Sequence, residues 1–435
     1  ETTALLHILS FTIHEAWTSI YLPELLNGTH TTQITSDEGS WITAFLFVGA
    51  LLGSGIPLII TDRLGRKITI MMISVPNCIS FVMLAFANSV IIFYVARLIA
   101  GIAGGMSNAT ILFHLGEIAD PKIRGFLHTF YAIFVLGGFL FISVLGPCLS
   151  AKLSSLISAA IPIIHLLIFV WIPESPYYLI KKENFEKAKE SLKKFTGDSN
   201  VEEEFVKLKE AIRKQSENKG RFLALFKNKF HRKTLLIAVV VTNMAQLSGT
   251  ASINVYLQLI AEKISHFLPP NITIFTFHLT RLVTIGISLF LIDNVGRRTI
   301  LLLSATGCAI ALFLLGLYIR LDTFLDISNY AVVFFIFLEG YSIFSSFMMS
   351  VGPLMLSEIF PTNVKVFAST LYTMYLFIVI AITIKFLQMT SDYCGMDVAF
   401  FTYVILCLIH IFLVYILVPE TLRKTLEEIQ DNLES

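Results

Sequence analysis

Long apolar runs recur along the chain, each ended by a short cluster of charged or turn-forming residues. In the first part they cover 5–22, 41–60, 68–86, 90–112, 127–145 and 156–172. After a polar stretch six more cover 235–260, 272–292, 300–319, 330–349, 367–387 and 398–418. At about 1.5 Å of rise per residue, each can cross the hydrocarbon core of a bilayer as a helix. The pattern predicts an all-α membrane protein of twelve transmembrane helices in two bundles of six. The first run leads into a loop containing Pro23 with no small-residue cleavage site, so it is expected to be the first spanning helix rather than a signal peptide.

The charged clusters repeat as well. Asp62-Arg63-Leu64-Gly65-Arg66-Lys67 returns as Asp293-Asn294-Val295-Gly296-Arg297-Arg298, at an offset of 293 − 62 = 231 residues. Glu117 with Arg124 seven positions on matches Glu358 with Lys365 seven on, and Pro173-Glu174-Ser175 matches Pro419-Glu420-Thr421. Three echoes in one order, each at the end of an apolar run, point to a duplicated half, an arrangement found in transporters. The expected division is a first bundle over 1–180, a linker over 181–233, a second bundle over 234–418 and a tail over 419–435.

Composition sharpens this picture. Hydrophobic residues make up 55% of the chain and charged residues 14%, with a mean hydropathy of +0.75, values that exclude a soluble domain. Of the 32 basic residues, three (Arg97, Arg281, Lys385) fall in apolar runs and three (Lys152, Lys263, Arg320) on one side, leaving 26 on the other. By the positive-inside rule the 26 face the cytoplasm, with both termini, and the protein is expected in the cell membrane. Two acceptor sequons, at Asn27 and Asn271, then fall outside and are expected to carry glycans, whereas a third at Asn108 lies within a helix and should be silent.

The linker 181–233 carries 16 Lys and Arg with interleaved Glu. Phe185, Ala188, Leu192, Phe195 and then Phe205, Leu208, Ala211, Ile212 have helical spacing, so short amphipathic helices are expected, with a flexible connector over 198–204. Five cysteines give no disulfide framework and no metal spacing; Cys148 and Cys394 are close enough to the outer ends to pair, but free thiols are expected. There is no phosphate-cradling glycine loop, which argues against a pump, and no metal-spaced His or Cys set, which argues against an intramembrane enzyme. No cofactor, metal or nucleic acid is expected. The partners are the lipid bilayer and a small solute, and the chain is taken as a monomer.

A duplicated transporter binds its solute between the halves, on helices interrupted by glycine or proline. The seventh run fits, with Gln246, Ser248, Gly249, Thr250, Ser252 and Asn254 in apolar surroundings. The tenth fits through Gly352-Pro353. Convergent amides and hydroxyls suit a sugar, and Gln246 is the strongest single candidate, although Ser and Thr hydroxyls commonly bond their own backbone. Ionisable groups within apolar runs call for a functional reading. Arg281 should face the central cavity, with Glu339 the nearest acid by sequence. The scattered histidines read as packed core residues.

The motifs above, with Gln246-Leu247-Ser248-Gly249, Ser357-Glu358-Ile359-Phe360-Pro361 and Lys424-Thr425-Leu426-Glu427-Glu428-Ile429, resemble those of the sugar porters of the major facilitator superfamily. Ala16-Trp17-Thr18-Ser19 with Leu22-Pro23, and Pro361-Thr362-Asn363-Val364-Lys365, lean toward the insect facilitated trehalose transporter branch. The resemblance spans essentially the whole chain. It implies sugar transport, of trehalose or a hexose, by alternating access. Glu15 lies close to where proton-coupled members carry an Asp, and Arg97 matches the base that pairs with it, so the resemblance implies a Glu15–Arg97 pair, either a static buried pair or a proton-coupling site. It also implies that Asp62, Arg63, Arg66, Glu117, Arg124, Asp293, Arg297, Arg298, Glu358 and Lys365 form ion pairs at the inner ends of the halves that hold the inner side shut. The positive-inside rule alone accounts for the bases there, not for Glu117 and Glu358. The pocket departs from the family: Ala132, Ala245, Ala251, Arg281 and Leu376-Phe377 stand where sugar porters usually have Gln, Gln, Asn, Asn and Asn-Trp. Phe377 is retained as a solute contact together with Gln246, Thr250, Asn254, Arg281 and Gly352. The rivals to facilitated sugar transport are a carrier of a polyol or organic anion, a proton-coupled symporter, and a non-transporting membrane sensor on the same scaffold.

Overall fold

The computed structural model describes residues 5–27, 32–118, 124–196, 201–217, 224–325, 327–359, 365–420 and 422. The first apolar runs form α1 (Leu6–Leu26), α2 (Ser36–Ser54), α3 (Ile56–Leu64), α4 (Arg66–Ala85), α5 (Val90–Ile118), α6 (Arg124–Leu145) and α7 (Ala151–Phe169). Between the two sets lie α8 (Pro176–Lys181), α9 (Phe185–Thr196), α10 (Val201–Glu217) and α11 (Ala224–Lys227). The later runs form α12 (Lys229–Gln246), α13 (Thr250–Val255), α14 (Leu257–Glu262), α15 (Pro270–Val295), α16 (Arg297–Leu325), α17 (Ala331–Ile359), α18 (Lys365–Tyr393) and α19 (Met396–Leu417). The early helices pack mainly on one another, as do the late ones. The main crossings between the sets are α2 on α18 and α6 on α15.

Among the described residues ten helices are long and apolar enough to cross a membrane, and the bent pair α2 and α3 makes an eleventh span. The bend of 46° falls at Gly55, just before Pro57, whose ring and missing N–H disfavour a continuous helix there. The remaining run, α1, has the 21 residues to span but falls short of the same hydropathy. Its His7, Ser10, Thr12, His14, Thr18 and Ser19 are instead buried against protein; Ser10 and Thr12 donate to carbonyls of their own helix, whereas both His14 ring nitrogens and the Thr18 and Ser19 hydroxyls have no partner among the described residues. The tenth run differs from expectation in the other direction. It forms α17 without interruption at Gly352-Pro353, because losing one backbone bond leaves the rest of the ladder intact.

The repeated charged cluster has a local structural role in both copies. Glu174 accepts the backbone N–H groups of Arg66 and Lys67, both at 3.0 Å, and so caps the start of α4. Glu420 caps α16 in the same way, accepting from Arg297 N at 2.9 Å and Arg298 N at 3.1 Å. A carboxylate here satisfies amides that have no helical partner and lies at the positive end of the helix dipole. The glycine before each helix is required twice over. Gly65 has φ +94° and Gly296 φ +100°, and a Cβ at either would come within 2.2 and 2.7 Å of the capping carboxylate.

Close backbone approach joins α2 to α5. A Cβ on Gly49 would lie 2.3 Å from the Leu98 carbonyl oxygen, and one on Gly101 would lie 2.0 Å from that of Leu46. Small residues four apart on both helices permit this contact, which substitutes for the hydrophobic effect that lipid removes. In the connecting segment Ile180, Ala188, Leu192 and Phe205 form a small core with Phe185, Leu208 and Ile212. Helix α10 starts earlier than expected, at Val201, with Glu202, Glu203 and Glu204 in its first turn, where acids favour the helix dipole. All five cysteines are free.

Glu420→Ala or Glu174→Ala should lower the thermal stability of the detergent-purified protein by about 1–2 kcal/mol, the worth of a lost helix cap. Glu202→Ala, which removes the exposed pair with Lys189 and one of three acids in the first turn of α10, should lower it far less.

Candidate solute site and gate

The seventh run breaks twice. α12 ends at Gln246, Gly249 takes a left-handed φ of +86°, and α13 and α14 follow as two short pieces. The freed backbone is repaired locally. Thr250 Oγ1 donates to the Ala245 carbonyl at 2.8 Å, Tyr341 Oη to the Ser248 carbonyl at 3.0 Å, and Ser252 Oγ meets Tyr403 Oη at 2.8 Å. Thr250 therefore shapes the break, and its hydroxyl is already engaged. Gln246 is buried, with Oε1 lacking a hydrogen-bond partner and Nε2 3.9 Å from Met349 Sδ. Asn254 Oδ1 accepts from Arg281 Nη1 at 2.8 Å, which brings together two of the residues singled out from the sequence. Arg281 is 3% exposed, and its Nε has no partner. His278, one turn away, stacks on Phe139 of α6 with ring centres 4.8 Å apart, so this part of α15 lies at the crossing between the two sets of helices. Phe377 also sits at a crossing, 6.1 Å from Phe11 and 6.3 Å from Phe47. A Cβ on Gly352 would touch only Val241, at 3.4 Å.

Glu15 and Arg97 are not joined. Arg97 is fully buried, donates from Nη1 to the His14 carbonyl oxygen and lies 4.7 Å over the Trp17 ring. Trp17 is itself anchored by its Nε1 donating to Ser155 at 2.9 Å. Glu339 stands beside Thr276 and Thr280 rather than pairing with Arg281. The expected Glu15–Arg97 pair fails because α1 presents its carbonyl edge and its tryptophan, not the carboxylate, to α5.

Of the inner-end charges, Asp62 meets Arg66 at 3.4 Å and Lys181 at 2.5 Å, and Arg66 lies 5.0 Å over the Tyr177 ring. Arg63 contributes its carbonyl to Tyr178 Oη at 2.9 Å. Arg297 Nη1 donates to the Ile292 carbonyl at 3.3 Å, and Arg298 to that of Tyr415. Each of these bonds stays within one half of the chain. The side chains of Glu117, Arg124, Asp293, Glu358 and Lys365 lie outside the described residues.

At the opposite end, beside the sequons, a polar clasp crosses between the halves. Lys385 Nζ of α18 donates to Asp37 Oδ1 and Ser40 Oγ of α2, both at 2.7 Å, and lies 4.6 Å over the Trp41 ring. Ser36 Oγ adds a bond to Asp392 at 2.8 Å, and Gln388 bonds both Asp392 and Ser36. A cavity of about 50 Å³ beside the clasp is lined by Tyr256, Leu26 and Ser391. A larger one of about 300 Å³ is bordered by Asn27, Asn271, Glu24, Gln258 and Glu262, so both sequon asparagines face one recess. Asp37, Gln388 and Asp392 escaped the sequence reading, and Lys385 had no assigned partner. A lysine two residues from the end of a run, able to reach the interface, was the one available signal.

The clasp is partly exposed, its Lys385 and Asp37 side chains being 18% and 67% accessible, so it contributes on the order of 1 kcal/mol. Lys385→Gln should therefore raise the open population at this end about fivefold. Labelling of Ser391→Cys by an impermeant thiol reagent, with Cys148 and Cys394 replaced by Ser, should speed up accordingly.

The family model described as sugar (and other) transporter matches residues 17–433. The solute carrier family 2, facilitated glucose transporter member 6 of Mus musculus is 28% identical over 450 residues, covering 98% of this chain and 89% of that one. The facilitated trehalose transporter Tret1 of Drosophila willistoni is 28% identical over 430 residues, and the chain spans 48% of its length. Among solved structures, the xylose transporter XylE from E. coli, in a partially occluded inward open conformation, matches with a TM-score of 0.81 at 19% identity, covering 97% of this chain and 98% of that one. The fold is therefore that of the major facilitator transporters, and the chain belongs to the sugar (and other) transporter family.

Proposed function

We propose that the protein carries a sugar, trehalose or a hexose, across the cell membrane by facilitated alternating access. The observation that carries this reading is the doubly broken seventh span, which holds Gln246 and the Asn254–Arg281 pair as buried polar groups near the crossing of the halves. Broken helices at a repeat interface are where such transporters bind solute. Relatives described as glucose and trehalose transporters support the sugar assignment.

In this reading 1–180 and 234–418 rock as two bundles joined by the cytoplasmic linker 181–233, with the tail 419–435 and both termini inside. Asn27 and Asn271 face outward as glycan acceptors. The α2–α18 clasp is then the outer gate, closed here, and the inner-end charges form the opposing latch. Facilitation is favoured over proton symport because Arg97 is held by the His14 carbonyl and the Trp17 ring, so protonating a carboxylate does not release it.

Purified protein in proteoliposomes should take up labelled trehalose or glucose down a gradient without alkalinising the medium. Gln246→Ala should lower uptake roughly tenfold, the worth of one hydrogen bond to a charged or strongly polar group. Solute-driven alkalinisation would replace facilitation with symport, and no flux of any solute with binding intact would favour a sensor.

A further inference from the structure

We propose that Tyr341 of α17 and Tyr403 of α19 are positioning residues of the solute site: they hold the two sides of the break in the seventh span in register, so that Gln246 and the Asn254–Arg281 pair face one solute. The inference rests on the transport reading above and adds the residues that keep its site assembled.

The break cannot hold its own shape. α13 and α14 have six residues each, and helices shorter than about 12 residues are marginal by themselves, so the direction of α13 is set by what it is tied to. Gly249 adds freedom at its start, with a φ of +86°. The Ser248 carbonyl lies outside both helices, between Gln246, the last residue of α12, and Thr250, the first of α13. The fully buried Tyr341 supplies its donor, with Oη 3.0 Å away and 3.5 Å from Thr250 Oγ1. The Ser248 and Thr250 hydroxyls both donate to the Ala245 carbonyl at 2.8 Å. They knit the break to the last turn of α12, and Tyr341 fixes that turn to α17.

The far side of the break is held from α19. Tyr403 Oη lies 2.8 Å from Ser252 Oγ and 3.3 Å from the Thr383 carbonyl of α18, and Ser252 Oγ lies 3.1 Å from the Gly249 carbonyl. Each hydroxyl has one proton to give. If Tyr403 donates to Thr383, Ser252 donates to Tyr403; if Tyr403 donates to Ser252, Ser252 donates to Gly249. α13 stays bonded to α19 in either arrangement. The ring adds a steric stop, since a Cβ on Gly249 would come within 2.7 Å of it. Asn254, two positions past Ser252, accepts from Arg281 at 2.8 Å, whereas Gln246, two positions before Ser248, is buried with its Oε1 unpartnered among the described residues. Each tyrosine therefore bonds a residue two positions from a polar group of the site, while its own hydroxyl is engaged by the protein.

The test is uptake of labelled glucose and trehalose into proteoliposomes by Tyr341→Phe and Tyr403→Phe, each of which removes one hydroxyl and keeps the ring. Each should raise KM for the transported sugar about fivefold, the worth of one neutral hydrogen bond, and leave the maximal rate within about twofold. A merely structural hydroxyl would instead lower the amount of folded protein, and with it the maximal rate, at an unchanged KM. In a Gln246→Ala background Tyr341→Phe should change KM by less than about twofold, because the group it positions is gone. An unchanged KM in a folded Tyr341→Phe protein overturns the inference, as does the full effect persisting in the Gln246→Ala background; if Tyr341→Phe does not fold, Tyr403→Phe decides by the same KM. Hydrogen exchange reads the brace without transport: amides of 247–254 should exchange about fivefold faster in both variants, with those of α4 unmoved. Should the parent move neither sugar, the transport reading fails instead, and the exchange decides: unchanged rates at 247–254 in both variants overturn this inference as well.

Discussion

A carboxylate seated on the free amides at the start of a helix is the contact on which one end of each half depends. Glu174 does this for α4 and Glu420 for α16, and each closes a turn that a left-handed glycine makes possible. Those amides have no partner within their own helix, and the carboxylate supplies one. The cap also ties the end of the sixth span to the start of the third, and the end of the twelfth to the start of the ninth. Each half is thereby closed at that end by a contact of its own.

The same rule, that polar groups must find partners inside the protein, organises the interior. α1 is too polar to sit in lipid, yet its hydroxyls and histidines are buried against α4, α5, α6 and α7. Arg97 is accommodated by a carbonyl and an indole face rather than by an acid, which avoids placing a second bare charge beside it. The rule is not met everywhere: among the described residues His14, Thr18, Asn77 and Arg97 keep buried atoms without a partner, and so do Gln246 Oε1 and Arg281 Nε near the broken span.

The two ends of the molecule use charge differently. At the sequon end the clasp of Lys385, Asp37, Gln388 and Asp392 crosses the seam with several modest bonds, each partly wetted. Such a set holds one state without trapping it, because each bond is worth little alone and water replaces it when the seam opens. At the other end the bonds of Asp62, Arg66, Arg297 and Arg298 described above run within their own halves. They shape the turns that a latch between the halves would use.

Local sequence determined much of this protein. Hydropathy located the spans because a run of apolar residues has few alternatives in a bilayer, and the duplicated D-x-x-G-R motif marked the turns because only glycine suits that φ beside a carboxylate. The periodic Phe185, Ala188 and Leu192 likewise announced a packed linker helix. The partners of charges were decided by tertiary structure alone. Glu15 was assigned to Arg97 on proximity in the family pattern, but the rotation of α1 turns its carboxylate away and presents its backbone and Trp17 instead. Lys385 finds Asp37, 348 residues away, only because α18 lies on α2. Gly352-Pro353 looked like a break and is none, whereas Gly55 bends the second span unannounced. Whether a helix yields at a proline, and which charge a side chain meets, depends on what packs against it, and hydropathy and spacing along one chain carry no record of that packing.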